Sequence, residues 1–256
     1  MNSILAVEPE NRAQAYGVSM FLDTYDFDSE GRWKPSSWLR CLQRLGTEQC
    51  HFLGFDEPWM AEHGFYWVVV RMVLKIDRNP MLGAISGETW HPGLQGPLWR
   101  RDYQLNDSSG RLGGAISLWG IIDRNDRRLL RPRHFPQGFP ILADRQALEA
   151  PPTKLHSEDL PLLATRLVLY SDIDSNGHAN NSRYAEWVSD ALPSDMLENR
   201  WTTGLQVDFR HEVLLGDMVH IHGAPVDEAR LHWHFVAHVG DNLSFVARLT
   251  LSENTH

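Results

Sequence analysis

The chain has 256 residues, 42% of them hydrophobic and 22% charged, the make-up of a globular protein with room for one large domain or two modest ones. A net charge of -9 lacks the basic surplus expected of a nucleic-acid binder. Two cysteines, Cys41 and Cys50, are too few for a disulfide framework, and no apolar run nears the roughly 20 residues that span a bilayer.

In chain order, the opening MNSILAVEPENRAQ has no signal-peptide pattern, which leaves a cytoplasmic location as the expectation. A strand is predicted over 16–24 (YGVSMFLDT), then a polar loop, then a helix over 36–50. Pro35 suits a helix start, and Trp38, Leu42 and Leu45 fall at helical spacing. Strands follow over 65–77, 83–91, 98–107 and 111–123, separated by RNPMLG, HPGLQGP and DSSG, with the last two reading as a hairpin. Six of the 14 prolines then fall between 132 and 161, which argues against a long helix or a central strand and marks a linker. After it the order repeats: a strand over 165–170, a polar loop, a helix over 181–192, and strands over 204–213, 217–225, 229–239 and 243–252.

One helix followed by a strand meander is an α+β pattern, and it occurs twice. Residues repeat as well. A shift of 146 positions sets Asp26, Asp28, Ser29, Gly31 and Ser36 on Asp172, Asp174, Ser175, Gly177 and Ser182. Leu82-Gly83 and Leu215-Gly216 mark the same turn in each copy. The expected organisation is a repeat over 1–131, a linker over 132–164 and a second repeat over 165–256, together a fused pseudo-dimer.

The polar loop of the second repeat, DIDSNGHANN (172–181), opens like a calcium loop. Such a loop needs a bidentate carboxylate at its twelfth position, which here is Arg183, and in the first copy, DFDSEGRWKP, is Ser37. A strand rather than a helix precedes each copy. No metal is expected. The loop offers instead an acid, an amide and an imidazole, Asp174, Asn176 and His178, just before a helix whose N-terminus carries unpaired N–H groups and partial positive charge. Such residues either shape a turn and cap the helix or do chemistry. The first copy keeps Asp28, Ser29 and Gly31 but has Glu30 and Arg32 in place of Asn176 and His178. An amide–imidazole pair that the turn does not need points to function. Glu212, in VDFRHEVLLGD, would approach His178 if its strand packs beside the loop; the matching place in the first copy is Asn79.

YSDIDSNGHANNSRYAEWV resembles the signature loop of the acyl-acyl-carrier-protein thioesterases, and FRHEVLLGD resembles their second active-site segment. The likeness continues through YWVVVRMVLKIDRNPMLG, LWRRDYQL and SLWGIIDRNDRRLLRP. The resemblance implies a double hotdog, two helix-wrapped antiparallel sheets joined into one. It implies that Asp174, Asn176 and His178 are the catalytic acid, amide and imidazole and that Glu212 is the catalytic glutamate. Plant members often carry a cysteine directly after that glutamate; Val213 stands there in this chain, which speaks against a Cys–His mechanism and leaves Cys41 and Cys50 as core residues.

The implied reaction is hydrolysis of a fatty acyl thioester without a cofactor. Glu212 acts as general base or as nucleophile, and helix N–H groups near Asn180 face the oxyanion. By the same resemblance the first repeat holds the acyl chain. Trp38, Trp59, Phe65, Trp67, Trp90, Trp99 and Trp119 are its candidate lining, or plain core. The implied partner is acyl carrier protein, an acidic protein bearing the acyl chain on phosphopantetheine. Arg100-Arg101 and the cluster Arg124, Arg127, Arg128, Arg131 and Arg133 are either its dock or a charged hairpin edge. A homodimer is compatible with the sequence. Three other readings stay open: an acyl-CoA thioesterase on the same fold, a hotdog dehydratase, and a non-catalytic acyl-binding protein.

Overall fold

The computed structural model describes residues 15–136, 138–198 and 200–253; the opening stretch read for a targeting signal lies outside the described residues. The chain divides into two compact units that do not follow chain order. One comprises the residues up to Tyr25, Cys41–Met72 and Asp77–Pro151; the other comprises Asp26–Arg40, Val73–Ile76 and the residues from Pro152 onward.

In the first unit, β1 (Tyr16–Phe21), β2 (Phe65–Ile76), β3 (Ala84–Gln95), β4 (Leu98–Asp107) and β5 (Gly110–Asp123) lie in the order β1-β3-β4-β5-β2. The β1–β3, β3–β4 and β4–β5 pairs are antiparallel. Helix α1 (Pro35–Leu53) begins among the residues of the second unit, with Trp38 and Leu39 buried there, and continues in the first, with Leu42 and Leu45 buried. Leu45 reaches the sheet at Gly87 of β3, where a Cβ would lie 2.8 Å from both Leu45 and Leu105. Strand β3 runs on through the segment expected as a turn. Pro92 has no N–H to give a ladder, and it sits where the β3–β4 register shifts, between Trp90 and Gly93. A short helix that periodicity did not reveal, α2 (Glu57–Glu62), starts where the Asp56 side chain accepts the Trp59 amide at 3.3 Å.

In the second unit, β6 (Leu162–Leu167), β7 (Arg200–Phe209), β8 (Met218–Pro225), β9 (His232–Val239) and β10 (Asn242–Glu253) lie in the order β7-β10-β9-β8-β6, and the β7–β10, β10–β9, β9–β8 and β8–β6 pairs are antiparallel. Helix α3 (Asn181–Asp190) turns Tyr184 and Trp187 inward, with Tyr184 5.0 Å from Phe209 and 5.1 Å from Phe245 between ring centroids. A one-turn helix, α4 (Asp195–Glu198), precedes β7. Strand β7 ends at Phe209, so Glu212 stands on the loop beyond it and not on the strand.

The proline-rich segment holds no helix longer than a single 3-10 turn among its described residues, and it is pinned to both units. In the first unit Leu142 donates to His91 O at 2.8 Å and Ala147 donates to Asp102 Oδ2 at 2.8 Å. In the second, Leu155 donates to Asp208 Oδ2 at 3.0 Å and His222 Nδ1 donates to Leu160 O at 2.9 Å. Asp102 and Asp208 are fully buried, each beside an arginine two residues away, Arg100 and Arg210. Buried carboxylates that hold linker amides make this segment part of each core. Among the described residues no helix is long and apolar enough to cross a membrane.

Candidate active site

The chain builds one turn twice, with the same two backbone hydrogen bonds. Asp174 N–H donates to His178 O at 2.9 Å and Gly177 N–H to Asp174 O at 3.0 Å; in the first copy Asp28 N–H donates to Arg32 O at 2.9 Å and Gly31 N–H to Asp28 O at 3.1 Å. The carboxylates repeat the role: Asp174 Oδ1 accepts the Asn176 amide at 2.9 Å, and Asp28 Oδ1 accepts those of Glu30 at 2.9 Å and Arg32 at 2.8 Å. Gly177 and Gly31 take left-handed φ values of 82° and 72°, which is why each turn has glycine there. Asp174 is therefore the post that holds the turn. The two residues after it that differ between the copies are the ones left to do something else.

They do different things. Arg32 turns inward, donating to Leu197 O at 2.6 Å, to Glu198 O at 3.1 Å and to Arg200 O, so it clamps the C-terminal end of α4 to the start of β7. His178 stays half exposed, and its Nε2 lies 3.0 Å from Oε2 of Glu212. The contact is set up by the backbone: Ala179 N–H donates to Val213 O at 2.8 Å, which ties the segment after β7 to the loop. Val213 itself is fully buried. Asn176 is exposed beside His178. The structure thus brings Asp174, Asn176, His178 and Glu212 to one place.

At the start of α3, capping is the role that Asn180 takes, its Oδ1 accepting Ser182 N–H at 3.0 Å and Ser182 Oγ–H at 2.8 Å. The N–H of Asn180 is donated to Asp172 O at 2.8 Å. Those two amides, of Asn180 and Ser182, are occupied within the fold and do not supply an oxyanion site. One turn into α3, burial first and then the carboxylates of Asp174, Glu212 and Asp217 push the Tyr184 phenol well above its ordinary pKa. Among the described residues no group of three or more His, Cys, Asp or Glu side chains is placed to hold a metal ion.

Two family models run over this chain, the acyl-ACP thioesterase N-terminal domain over residues 13–133 and the acyl-ACP thioesterase C-terminal domain over residues 162–249. The chain belongs to the acyl-ACP thioesterase family. Curated relatives include a chloroplastic palmitoyl-acyl carrier protein thioesterase of Gossypium hirsutum, 30% identical over 217 residues, covering 77% of this chain and 52% of that one. Another is an oleoyl-acyl carrier protein thioesterase of Arabidopsis thaliana, 24% identical over 227 residues, covering 80% of this chain and 62% of that one. The chain spans about half the length of the first of these relatives. Among solved structures, an acyl-ACP thioesterase from Bacteroides thetaiotaomicron superposes with a TM-score of 0.85 at 21% identity, covering 93% of this chain and 98% of that one. A 12:0-ACP thioesterase from Umbellularia californica gives 0.77 at 18% identity, covering 94% and 98%. These likenesses show the α+β double hotdog that the duplicated pattern and the resemblance implied.

In this acyl-ACP thioesterase family member, the remaining sequence-derived candidates scatter. Trp38 is fully buried in the second unit, 4.6 Å from Trp33 between ring centroids. Trp90 is buried in the first unit, where its Nε1 donates to Arg145 O at 2.9 Å and the Arg145 guanidinium lies 3.9 Å from its ring centroid. Trp67, with Trp59, Phe65 and Trp119, packs around a core of Phe55, Met60, Trp99, Ile121, Phe135 and Phe139. Cys41 and Cys50 are free thiols, the first buried and the second partly so.

The arginines need a correction. Arg100 is not a surface cation: it is 8% exposed and grips Asp102 with Nε and Nη2 at 2.7 and 2.8 Å. Arg101 is likewise buried against Gln49 and Cys50. A guanidinium committed to a buried carboxylate cannot also meet a passing acidic protein. The i, i+2 spacing of Arg100 and Asp102, which puts both on one face of β4, is the signal that could have shown this. Arg124, Arg127, Arg128, Arg131 and Arg133 are exposed. Arg127 sits on the turn after β5 with φ 54°.

Proposed function

We propose that this protein hydrolyses the thioester joining a fatty acyl chain to the phosphopantetheine of acyl carrier protein, releasing free fatty acid and holo carrier protein. The observation that carries the reading is the 3.0 Å approach of His178 Nε2 to Glu212 Oε2, in a chain of this family. Glu212, more than half exposed, is open to water and takes a proton from it as the oxygen attacks the thioester carbon. The carboxamide of Asn176 donates to the thioester oxygen as negative charge develops there. When the tetrahedral intermediate collapses, the C–S bond breaks and His178 protonates the leaving thiolate. The proton held by Glu212 then returns to His178 across the same contact. Asp174 keeps Asn176 and His178 aimed by holding their turn. The exposed arginines around Arg127 and Arg128 form the dock for the acidic carrier.

The test is Glu212→Gln. The substitution keeps the size of an exposed side chain, so the unfolding curve should not move, while loss of a general base lowers kcat by about 100- to 10,000-fold. Near-normal turnover of acyl carrier protein thioesters by Glu212→Gln would remove the assignment.

A further inference from the structure

Arg40 on α1 and Glu186 on α3 occupy equivalent places in the two copies, 146 residues apart, and their side chains meet: Arg40 Nη1 donates to Glu186 Oε1 at 3.2 Å. Each is also tied to its own surroundings. Arg40 Nη2 donates to Asp26 Oδ1 at 2.8 Å and to Ser37 Oγ at 2.7 Å. The other oxygen of Glu186 accepts from Arg183 Nη1. Arg183 in turn addresses the base of the loop that bears Asn176 and His178: Nη2 donates to Ser171 O at 2.5 Å, and Nε lies 3.5 Å from Asp172 Oδ1.

Asp172 is where that loop is anchored. It is 1% exposed, its Oδ2 accepts the Leu169 amide at 2.8 Å, and Arg166 Nη2 approaches Oδ1 at 3.5 Å. Its carbonyl accepts the Asn180 amide at 2.8 Å, closing the loop at the other end. The first copy is wired more directly, because Arg40 itself reaches Asp26, the counterpart of Asp172. In the second copy the place of Arg40 holds a carboxylate, Glu186, and Asp172 Oδ1 is instead faced at 3.5 Å by both Arg166 and Arg183, the latter having Ser37 as its counterpart. Glu186 sits between two guanidiniums. Without Arg40, Glu186 keeps Arg183 as its one guanidinium partner of the two, and the carboxylate that meets Arg183 is no longer held from α1. Guanidinium–carboxylate contacts are directional, so such a chain passes on position as well as charge.

We propose that Arg40, on the helix of the copy without Asn176 and His178, is a positioning residue for the catalytic loop, acting through Glu186 and Arg183 on Ser171 and Asp172. The proposal rests on the reading of Asn176, His178 and Glu212 as the active site. Partly exposed ion pairs add little to global stability, whereas displacing a reacting group by an ångström costs up to about 100-fold in rate. The relay therefore shows itself in turnover before it shows itself in unfolding.

The experiment measures kcat, KM and the thermal midpoint for Arg40→Met, Arg183→Met and the double variant on an acyl carrier protein thioester, well below the lowest midpoint. Each single variant is expected to lose about tenfold or more in kcat with KM nearly unchanged, and the double variant to lose no more than the worse single one. Losses that multiply, or an Arg40→Met that lowers the midpoint and leaves kcat alone, overturn the relay. Glu186→Gln, which keeps the shape of the helix surface but removes the charge from both pairs and the acceptor from one of them, should lower kcat in the same way and serves if Arg40→Met does not fold. Glu212→Gln assayed alongside separates the two ideas. An active Glu212→Gln removes the site reading itself, whereas an inactive one beside a fully active Glu186→Gln removes only the relay.

Discussion

The duplicated turn supplies its own control, because Asp28 and Asp174 hold the same backbone in two places and only one of those turns bears Asn176 and His178. Asp28→Ala removes an acceptor from two amides, at 2.9 and 2.8 Å. Such contacts at a partly exposed site contribute about 1 kcal/mol each, so the change costs about 2 kcal/mol and lowers the melting midpoint by about 4–8 °C in a protein of this size. Asp174→Ala frees one amide, at 2.9 Å. It should cost about 1 kcal/mol and about 2–4 °C. Activity should rank the other way. Asp28→Ala leaves the Asp26 carboxylate on Arg40 and should turn over at the wild-type rate, while Asp174→Ala lets Asn176 and His178 drift and loses about 10- to 100-fold in kcat. Calorimetry gives the midpoints, and thiol release from an acyl carrier protein thioester gives the rates. Equal kcat losses in the two variants, or an Asp174→Ala that keeps its rate, would refute the division of the repeated turn into a shared post and a single working pair.

Two further outcomes follow from the charges. His91 donates through Nδ1 to Arg100 O at 3.0 Å, and burial first, then the Arg101 charge, hold its imidazole pKa well below the ordinary value. The unfolded chain binds a proton that the folded chain refuses, so His91 lowers stability as pH falls below about 6.5. His91→Asn can keep a donor to Arg100 O, and its urea midpoint should lose that share of the slope between about pH 6.5 and 5; parallel midpoint-against-pH curves for the two proteins would count against the assignment. Reversing the exposed pair, Arg127→Glu with Arg128→Glu, should raise KM for the carrier-bound substrate about tenfold at low salt and leave KM for an acyl-pantetheine thioester unchanged. A KM unmoved for both substrates would place the carrier elsewhere.

Much of the architecture was legible along the chain because its signals are local. Alternating apolar residues and turn residues place eight of the ten strands near their observed ranges, and Pro35 with the spacing of Trp38, Leu42 and Leu45 marks α1. β6 begins and ends about three residues before its expected range, since LLATRL pairs with β8 directly after the last proline of the linker, and β7 begins and ends about four residues early, at Arg200 and Phe209. Helix α2 was missed because six residues carry too little periodicity, although Asp56 and Pro58 mark its start.

By itself the sequence determined which residues differ between two copies of one turn, and so singled out Asn176 and His178, with Glu212, as side chains that scaffolding does not need. A turn is specified by neighbours in the chain, which is why a comparison of two short strings sufficed. Only the tertiary structure decided which charges are available. Arg100 faces a buried carboxylate and Arg127 faces solvent, yet both are arginines on or beside a strand. It alone brought Arg40 to Glu186 across 146 residues, and Glu212 to His178 by way of the Ala179–Val213 hydrogen bond. The physical reason is range. Backbone preference and hydrophobic period act over a few residues, while an ion pair acts over a few ångströms, and only the folded chain converts one distance into the other.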